Sequence, residues 1–404
     1  MTCPHQTRAS AISPCRRCSS ASKNGWPVWA ATAKPPETIR VPRDYADPRG
    51  VTWTIAVARL PTTGPGARLG SIVTNPGGPG ISGVGELLAS GSDFARLRTQ
   101  YDVVSFDPRG VGSTGPALDC LSAAQATAIR NQISDPTTAE EQALAFDLGR
   151  EHALACERVL GDSLGRLGTR DVARDMDVLR AVLGEDQLDY LGFSYGTYLG
   201  AVYAGLFPGR TDRMVLDSAM NPANAYERQR YDQALAQQAA IERFAADCPT
   251  HADCPLAADV PTALAQIAAL IDALDTEPFV AADGRVLSGS RLVQFVAQDA
   301  PLTGAGRAWS VLPCTEWRAR SDVPPAAIAA SGSGDILVVG VTGDPATPVG
   351  WARALAAALA HGRLLEWEGD GHIAYGRGGA CVDDAIEGYF LDGVLPPEGT
   401  RCPA

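Results

Sequence analysis

The 404-residue chain predicts an α/β protein, a mostly parallel sheet covered by helices on both faces and interrupted by a helical insertion. Three observations carry this. Short apolar runs alternate with helical patterns along most of the chain, as strands buried on both faces require. The alternation stops between Asn221 and about Pro325, where the sequence turns alanine-rich and helix-periodic. Gly192-Phe193-Ser194-Tyr195-Gly196 stands where an apolar strand gives way to a helix.

In chain order, residues 1–36 read as an irregular arm. A β-rich opening follows: Thr38 to Arg43, Val51 to Leu60 with apolar/polar alternation, and Gly70 to Thr74. Asp102-Val-Val-Ser-Phe106 reads as a short buried strand, and Arg170 to Leu183 as an amphipathic helix. The strand Leu188 to Leu191 leads to the helix Thr197 to Phe207, and Arg213 to Leu216 is the next strand. Within the insertion, Tyr226 to Ala246 and Val260 to Leu274 are helix-periodic. The apolar strand Asp335 to Val341, a helix from Val349 to Ala360 and a strand from Arg363 to Trp367 close the series. The chain is thus expected to comprise an arm (1–36), the first part of the core (37–220), a helical cap above the sheet (221–325) and the second part of the core (326–404). A plain second domain is the competing reading of the insertion. No internal repeat is present.

Composition removes several functions. The net charge is −12 with no arginine-rich block, which argues against a nucleic-acid partner. No apolar run approaches the roughly 20 residues of a membrane span. Lysine occurs only at Lys23 and Lys34, in the arm, so the body has none for a Schiff base, a phosphate loop or a Ser-Lys dyad. The candidate bases are His5, His152, His251, His361 and His372.

Ten cysteines point to an oxidising compartment. Cys120 and Cys156 flank a helical stretch, Cys248 and Cys254 are close in sequence, and Cys381 and Cys402 bracket the last helix; we expect three disulfides. Cys314 is left to pair with Cys3, Cys15 or Cys18, or to stay free. The alternative for Cys248-Pro-Thr-His251-Ala-Asp-Cys254 is a metal, but the spacing suits zinc poorly and no second ligand cluster is near. We expect no metal and no cofactor. Disulfides imply secretion or the cell envelope. Arg16-Arg17, however, is followed by polar Cys18-Ser-Ser-Ala-Ser-Lys-Asn-Gly where the apolar segment of a signal peptide would stand, which conflicts with export; the expectation is secretion or the cell envelope, otherwise the cytoplasm.

A serine at a strand-to-helix turn needs small flanking residues, which Gly192 and Gly196 supply, and such a turn presents Ser194 as a nucleophile. A nucleophilic serine needs a base, an orienting acid and donors for the oxyanion. His372, in the loop Glu368-Gly-Asp-Gly-His372 after the last core strand, is the base; His251 lies in the insertion and His361 at a helix end. Asp344, in the turn after the apolar strand, is the preferred acid, with Asp217 its rival one strand earlier. Asp370 is too near His372 in sequence. Asn75-Pro-Gly-Gly-Pro-Gly80 follows a strand and opens a helix, and Gly78 with Tyr195 would donate their backbone N–H groups to the oxyanion. A phosphate loop would end in Lys-Ser/Thr, which is missing. Asp107-Pro-Arg-Gly-Val-Gly112 reads as a structural turn at the same sheet edge.

Together NPGGPGISG, DPRGVGST, LGFSYGTYLGAVYAGLFPGR, GDPATP, the GDGH loop and the segment from Cys381 to Cys402 resemble the α/β-hydrolase peptidases related to proline iminopeptidase, specifically the actinobacterial tripeptidyl aminopeptidase-like group. The resemblance covers roughly residues 38–404. It implies the α/β-hydrolase fold, a triad of Ser194, Asp344 and His372, and an oxyanion loop at Gly78. Members are typically exported, and their substrate choice lies in the cap, which is shorter here. Relatives bind the substrate α-amine through acidic cap-side residues, for which Glu316 in Leu312-Pro-Cys-Thr-Glu-Trp317 is the candidate. The expected activity is release of residues or short peptides from free N-termini. A carboxylesterase or lipase-like activity on small esters, with the same triad, is the alternative.

Overall fold

The computed structural model describes residues 37–118, 120–130, 136, 138–281, 286–289 and 323–404. In chain order these form β1 (Glu37–Pro42), β2 (Thr52–Leu60), β3 (Gly70–Asn75), α1 (Gly83–Ala89), β4 (Tyr101–Phe106), α2 (Ala123–Arg130) and α3 (Ala139–Leu160). Next come α4 (Thr169–Leu183), β5 (Leu188–Phe193), α5 (Tyr195–Leu206), β6 (Thr211–Asp217), α6 (Tyr226–Asp247) and α7 (Val260–Thr276). The remainder is β7 (Phe279–Val280), β8 (Val286–Leu287), β9 (Ile336–Gly343), α8 (Val349–Ala358), β10 (Gly362–Asp370), α9 (Gly379–Asp392) and β11 (Thr400–Pro403).

The main sheet runs β1-β2-β4-β3-β5-β6-β9-β10-β11. From β4 to β11 every pairing is parallel, and β2 meets β4 antiparallel. Every residue of β3, β4 and β5 is buried, as expected of parallel strands covered on both faces, with polar Ser71, Asp102, Ser105 and Asp189 buried among the apolar residues. Successive side chains go to opposite faces. Val104, Phe106, Leu188 and Tyr190 pack with Met176 and Leu179 of α4, Leu199 and Tyr203 of α5, and Leu355 of α8. Val103, Leu191 and Phe193 pack on the other face with Leu87 of α1 and with Val382, Ile386 and Phe390 of α9. Each large side chain so buried stabilises the fold by about 1.5–3 kcal/mol.

Arg109, from the Asp107-Pro-Arg turn, is fully enclosed. It pairs with Asp175 of α4 at 2.6 Å and donates to the carbonyls of Pro42, Arg43 and Arg166. One guanidinium thereby ties the chain after β1 and the turn after β4 to α4. Asp107 accepts from Ser82 Oγ, Val84 N and Ser113 N, holding the start of α1.

The three expected disulfides are formed: Cys120–Cys156, Cys248–Cys254 and Cys381–Cys402. The sulfurs of Cys248 and Cys254 are therefore joined to each other and are not metal-ligating thiolates. Cys314 and Cys3, Cys15 and Cys18 lie outside the described residues. No helix among the described residues is long and apolar enough to cross a membrane.

Between β6 and β9 in sequence, α6 and α7 pack through Ile241 and Ile267, with Leu256, Leu264 and Ile271 around them. Three contacts of α6 reach the end of β9 and the region that follows it. Gln233 Nε2 donates to Ala346 O at 2.6 Å, Asp232 accepts from Trp351 Nε1 at 2.8 Å, and Arg243 donates to Gly343 O at 3.0 Å. Two features depart from the sequence-based expectation. The β7–β8 pair and β11 are additional strands, each too short to show a periodicity. Cys381–Cys402 ties β11 to α9, and β11 extends the parallel sheet beyond β10.

Candidate active site

Ser194 leaves β5 and immediately precedes α5, with φ 54° and ψ −122°. That positive-φ backbone keeps Ser194 itself outside the helix, and α5 begins at the next residue, Tyr195, two residues earlier than expected. The turn is closely packed. A Cβ at Gly196 would lie 2.4 Å from Asn75 O, and one at Gly192 would lie 2.6 Å from Gly196 O. Thr197 Oγ1 donates to Ser194 O at 2.5 Å, and Tyr190 Oη donates to Gly196 O at 2.8 Å. As the first residue of α5, Tyr195 has a backbone N–H without an intrahelical acceptor. Its hydroxyl is held 2.7 Å from Thr169 Oγ1 at the start of α4.

The Asn75-Pro-Gly-Gly loop lies directly against this turn. Gly77, at φ 96°, makes the approach: a Cβ there would lie 2.5 Å from Phe193 O and 2.9 Å from Tyr195 N. Gly78, at φ 105°, follows it, and a Cβ there would meet Gly80 N at 2.9 Å and Ile81 N at 3.1 Å, within its own loop. Gly77 is not singled out by the sequence, because two adjacent glycines carry no mark of which one meets the elbow. Asn75 Oδ1 accepts from Gly77 N at 3.0 Å and orders the loop.

Asp344 follows β9 and is 2% exposed. Its carboxylate is held by its own turn. Oδ1 accepts from Ala346 N at 2.8 Å and Thr347 N at 2.9 Å, and Oδ2 accepts from Thr347 Oγ1 at 2.7 Å. Such a turn is the local habit of aspartate. The fourth partner is His372, whose Nδ1 lies 2.9 Å from Oδ2 and 3.1 Å from Oδ1. His372 comes two residues after β10 and remains 28% exposed. A carboxylate on Nδ1 leaves Nε2 as the ring nitrogen that can take a proton from a neighbour.

The rival acid lies elsewhere in the network. Asp217, the last residue of β6, is fully buried and accepts from Ala374 N at 3.1 Å and Tyr375 N at 2.8 Å. Burial raises its carboxyl to about 6, against the lowering effect of those hydrogen bonds and of His372. Asp370 pairs with Arg243 at 2.7 Å. His361 is exposed, and exposed His251 sits 3.1 Å from Asp247. Glu316 lies outside the described residues. The structure thus brings Asp344 to His372 and puts Ser194, Gly78, Asp344 and His372 at the carboxyl ends of β5, β3, β9 and β10. That edge is where open α/β sheets bind their ligands.

Comparison with known proteins agrees with the resemblance. The family described as TAP-like protein matches residues 300–402. The serine protease Hip1 of Mycobacterium tuberculosis is 30% identical, over 90% of this chain and 86% of that protein. Carboxylesterase B of the same species is 32% identical over 90% and 85%, and tripeptidyl aminopeptidase of Streptomyces coelicolor 29% identical over 90% and 82%. Among solved structures, proline iminopeptidase of Mycobacterium smegmatis is similar at 16% identity with a TM-score of 0.42, over 89% of this chain and 100% of that one. The chain belongs to the tripeptidyl aminopeptidase-like family of α/β-hydrolases and is a serine hydrolase.

Proposed function

We propose that the protein is an exopeptidase that releases single residues or short peptides from free N-termini through an acyl-enzyme on Ser194. The observation that carries this is the buried Asp344 carboxylate on His372 Nδ1, at the same sheet edge as a serine on a glycine-flanked elbow. Ser194 Oγ attacks the scissile carbonyl while His372 Nε2 takes its proton. Asp344 holds the imidazole in the tautomer with hydrogen on Nδ1 and stabilises the imidazolium that forms. The N–H groups of Gly78 and Tyr195 receive the oxyanion. His372 returns the proton to the departing amine; water then attacks the acyl ester while giving a proton to His372 Nε2, and His372 passes that proton to Ser194 Oγ as the carboxylic acid leaves. Residues 221–325 form the cap, and Glu316 reads the substrate α-amine. Two family relatives named as peptidases support the peptide reading. The three disulfides support an extracytoplasmic site of action.

The second reading is a carboxylesterase, favoured by the 32% identity to carboxylesterase B. A fluorophosphonate probe is expected to label the wild type and to miss Ser194→Ala; equal labelling of both would remove Ser194 as nucleophile. Aminoacyl- and tripeptidyl-amide substrates, free and N-acetylated, then compete with p-nitrophenyl esters. An exopeptidase prefers the free amine. Indifference to acetylation with esters far preferred would establish the esterase.

A further inference from the structure

We propose that Asp217 and Ser218 are a positioning pair for the base, fixing the backbone that follows His372 against the backbone that carries Ser194. The proposal rests on the Ser194, His372 and Asp344 reading above. Asp217 and Ser218 are both fully buried and stand at the carboxyl end of β6, between the strands of the nucleophile and of the acid. The main-chain carbonyl of Asp217 accepts the N–H of Ser194 at 3.0 Å. The Ser218 N–H donates to Val339 O on β9 at 3.0 Å. Their side chains reach the third segment. Ser218 Oγ accepts from Ile373 N at 2.8 Å, and the Asp217 carboxylate accepts from Ala374 N and Tyr375 N. Two adjacent residues therefore touch the nucleophile elbow, the acid's strand and three successive N–H groups directly after the base.

Two features separate this from ordinary loop packing. A carboxylate is costly to bury and is held buried only against compensating donors. Here the compensating donors are backbone N–H groups of the base's own loop, groups that a neutral carbonyl also satisfies. Ser218 and Ile373 have φ of 56° and 75°, which non-glycine residues seldom adopt and β-branched ones least of all. These two unusual residues are bonded to each other, so releasing one frees the other. Neither Asp217 nor Ser218 needs to contact substrate. Their effect passes through the placement of the imidazole, where a shift of about 1 Å costs on the order of 10²-fold.

The test uses the full chain with p-nitrophenyl acetate and a fluorophosphonate probe, well below the thermal midpoint of each variant. Asp217→Asn keeps the shape but puts an amide against two N–H donors. Ser218→Gly removes the hydroxyl while easing the positive φ, and carries the test if Asp217→Asn does not fold. We expect kcat to fall about 10²-fold in Asp217→Asn and about tenfold in Ser218→Gly, with KM within about twofold and probe labelling slowed in step. The downfield proton resonance of His372 Nδ1–H should shift or broaden in both. A purely structural role would lower the midpoint and leave kcat, labelling rate and this resonance unchanged, and that result overturns the proposal. Undiminished labelling of Ser194→Ala would instead overturn the nucleophile assignment, and the pair with it.

Discussion

The carboxyl ends of β6 and β9 lie side by side, and each presents a buried aspartate to the His372 loop, yet the two carboxylates serve different parts of it. Asp344 is satisfied locally by Ala346 and Thr347, two and three residues away, and so keeps its orientation whatever the loop does. Its remaining capacity faces the imidazole. Asp217 has no such turn: its donors come from Ala374 and Tyr375, at the far end of the chain. A carboxylate that is held in advance can orient a side chain, whereas one held by the loop itself can only orient that loop. The difference between these strand ends lies in where their donors originate.

The largest expected effect tests that distinction directly. Asp344→Asn should lower kcat about 10³–10⁴-fold with little change in KM, because an amide favours the wrong imidazole tautomer. Asp217→Asn should cost about 10²-fold. Steady-state rates of both variants on one amide substrate decide the matter. A dead Asp217→Asn beside an active Asp344→Asn would exchange the two roles.

Much of this arrangement is legible in the amino-acid sequence. The strand-to-helix switch around Ser194 and the apolar run before Asp344 place both residues at strand ends, because periodicity and glycine punctuation are local signals. The position of His372 after the last core strand is legible for the same reason. The function of Asp217 is not, since its partners are 157 and 158 residues away and nothing in Arg213-Met-Val-Leu216-Asp217 announces them. The same holds for Gly77, identical in sequence to Gly78 and distinguished only by its approach to Phe193 O and Tyr195 N. β11 is hidden because four residues show no pattern, and its pairing depends on a neighbour strand and a disulfide.

A second way to separate the two aspartates is pH. Burial is the main cause that raises the Asp217 carboxyl from 3.8 to about 6, with Asp344 raising it further and His372 and the two N–H donors opposing. A group raised on folding binds its proton more readily in the folded chain. Its stabilisation is complete below about 3.8 and is lost as pH rises through about 6. At about 1.4 kcal/mol per pH unit over that interval, wild type should lose about 3 kcal/mol relative to Asp217→Asn on going from acid to neutral pH. Paired denaturant titrations across this range measure it. A difference that does not vary with pH would mean that Asp217 is not the buried titrating group described, and the contrast with Asp344 would have to rest on geometry alone.

The smallest effect probes what holds Asp344 in advance. Thr347 Oγ1 donates to Asp344 Oδ2, the oxygen that is also nearer to His372 Nδ1, while the main-chain donors serve Oδ1. Thr347→Val retains the branched shape and both backbone N–H bonds but deletes the hydroxyl. A hydrogen bond to a charged group is worth about 1.5–3 kcal/mol. The two backbone donors still fix the carboxylate, so only the part of that value that governs its angle toward the ring should appear in catalysis. We expect kcat to fall about tenfold, equivalent to about 1.4 kcal/mol, with KM unchanged. A loss as large as that of Asp344→Asn would show that the hydroxyl, and not the main chain of the turn, sets the orientation. No loss at all would show that the two N–H groups suffice, and that Asp344 needs even less from its surroundings than its contrast with Asp217 already implies.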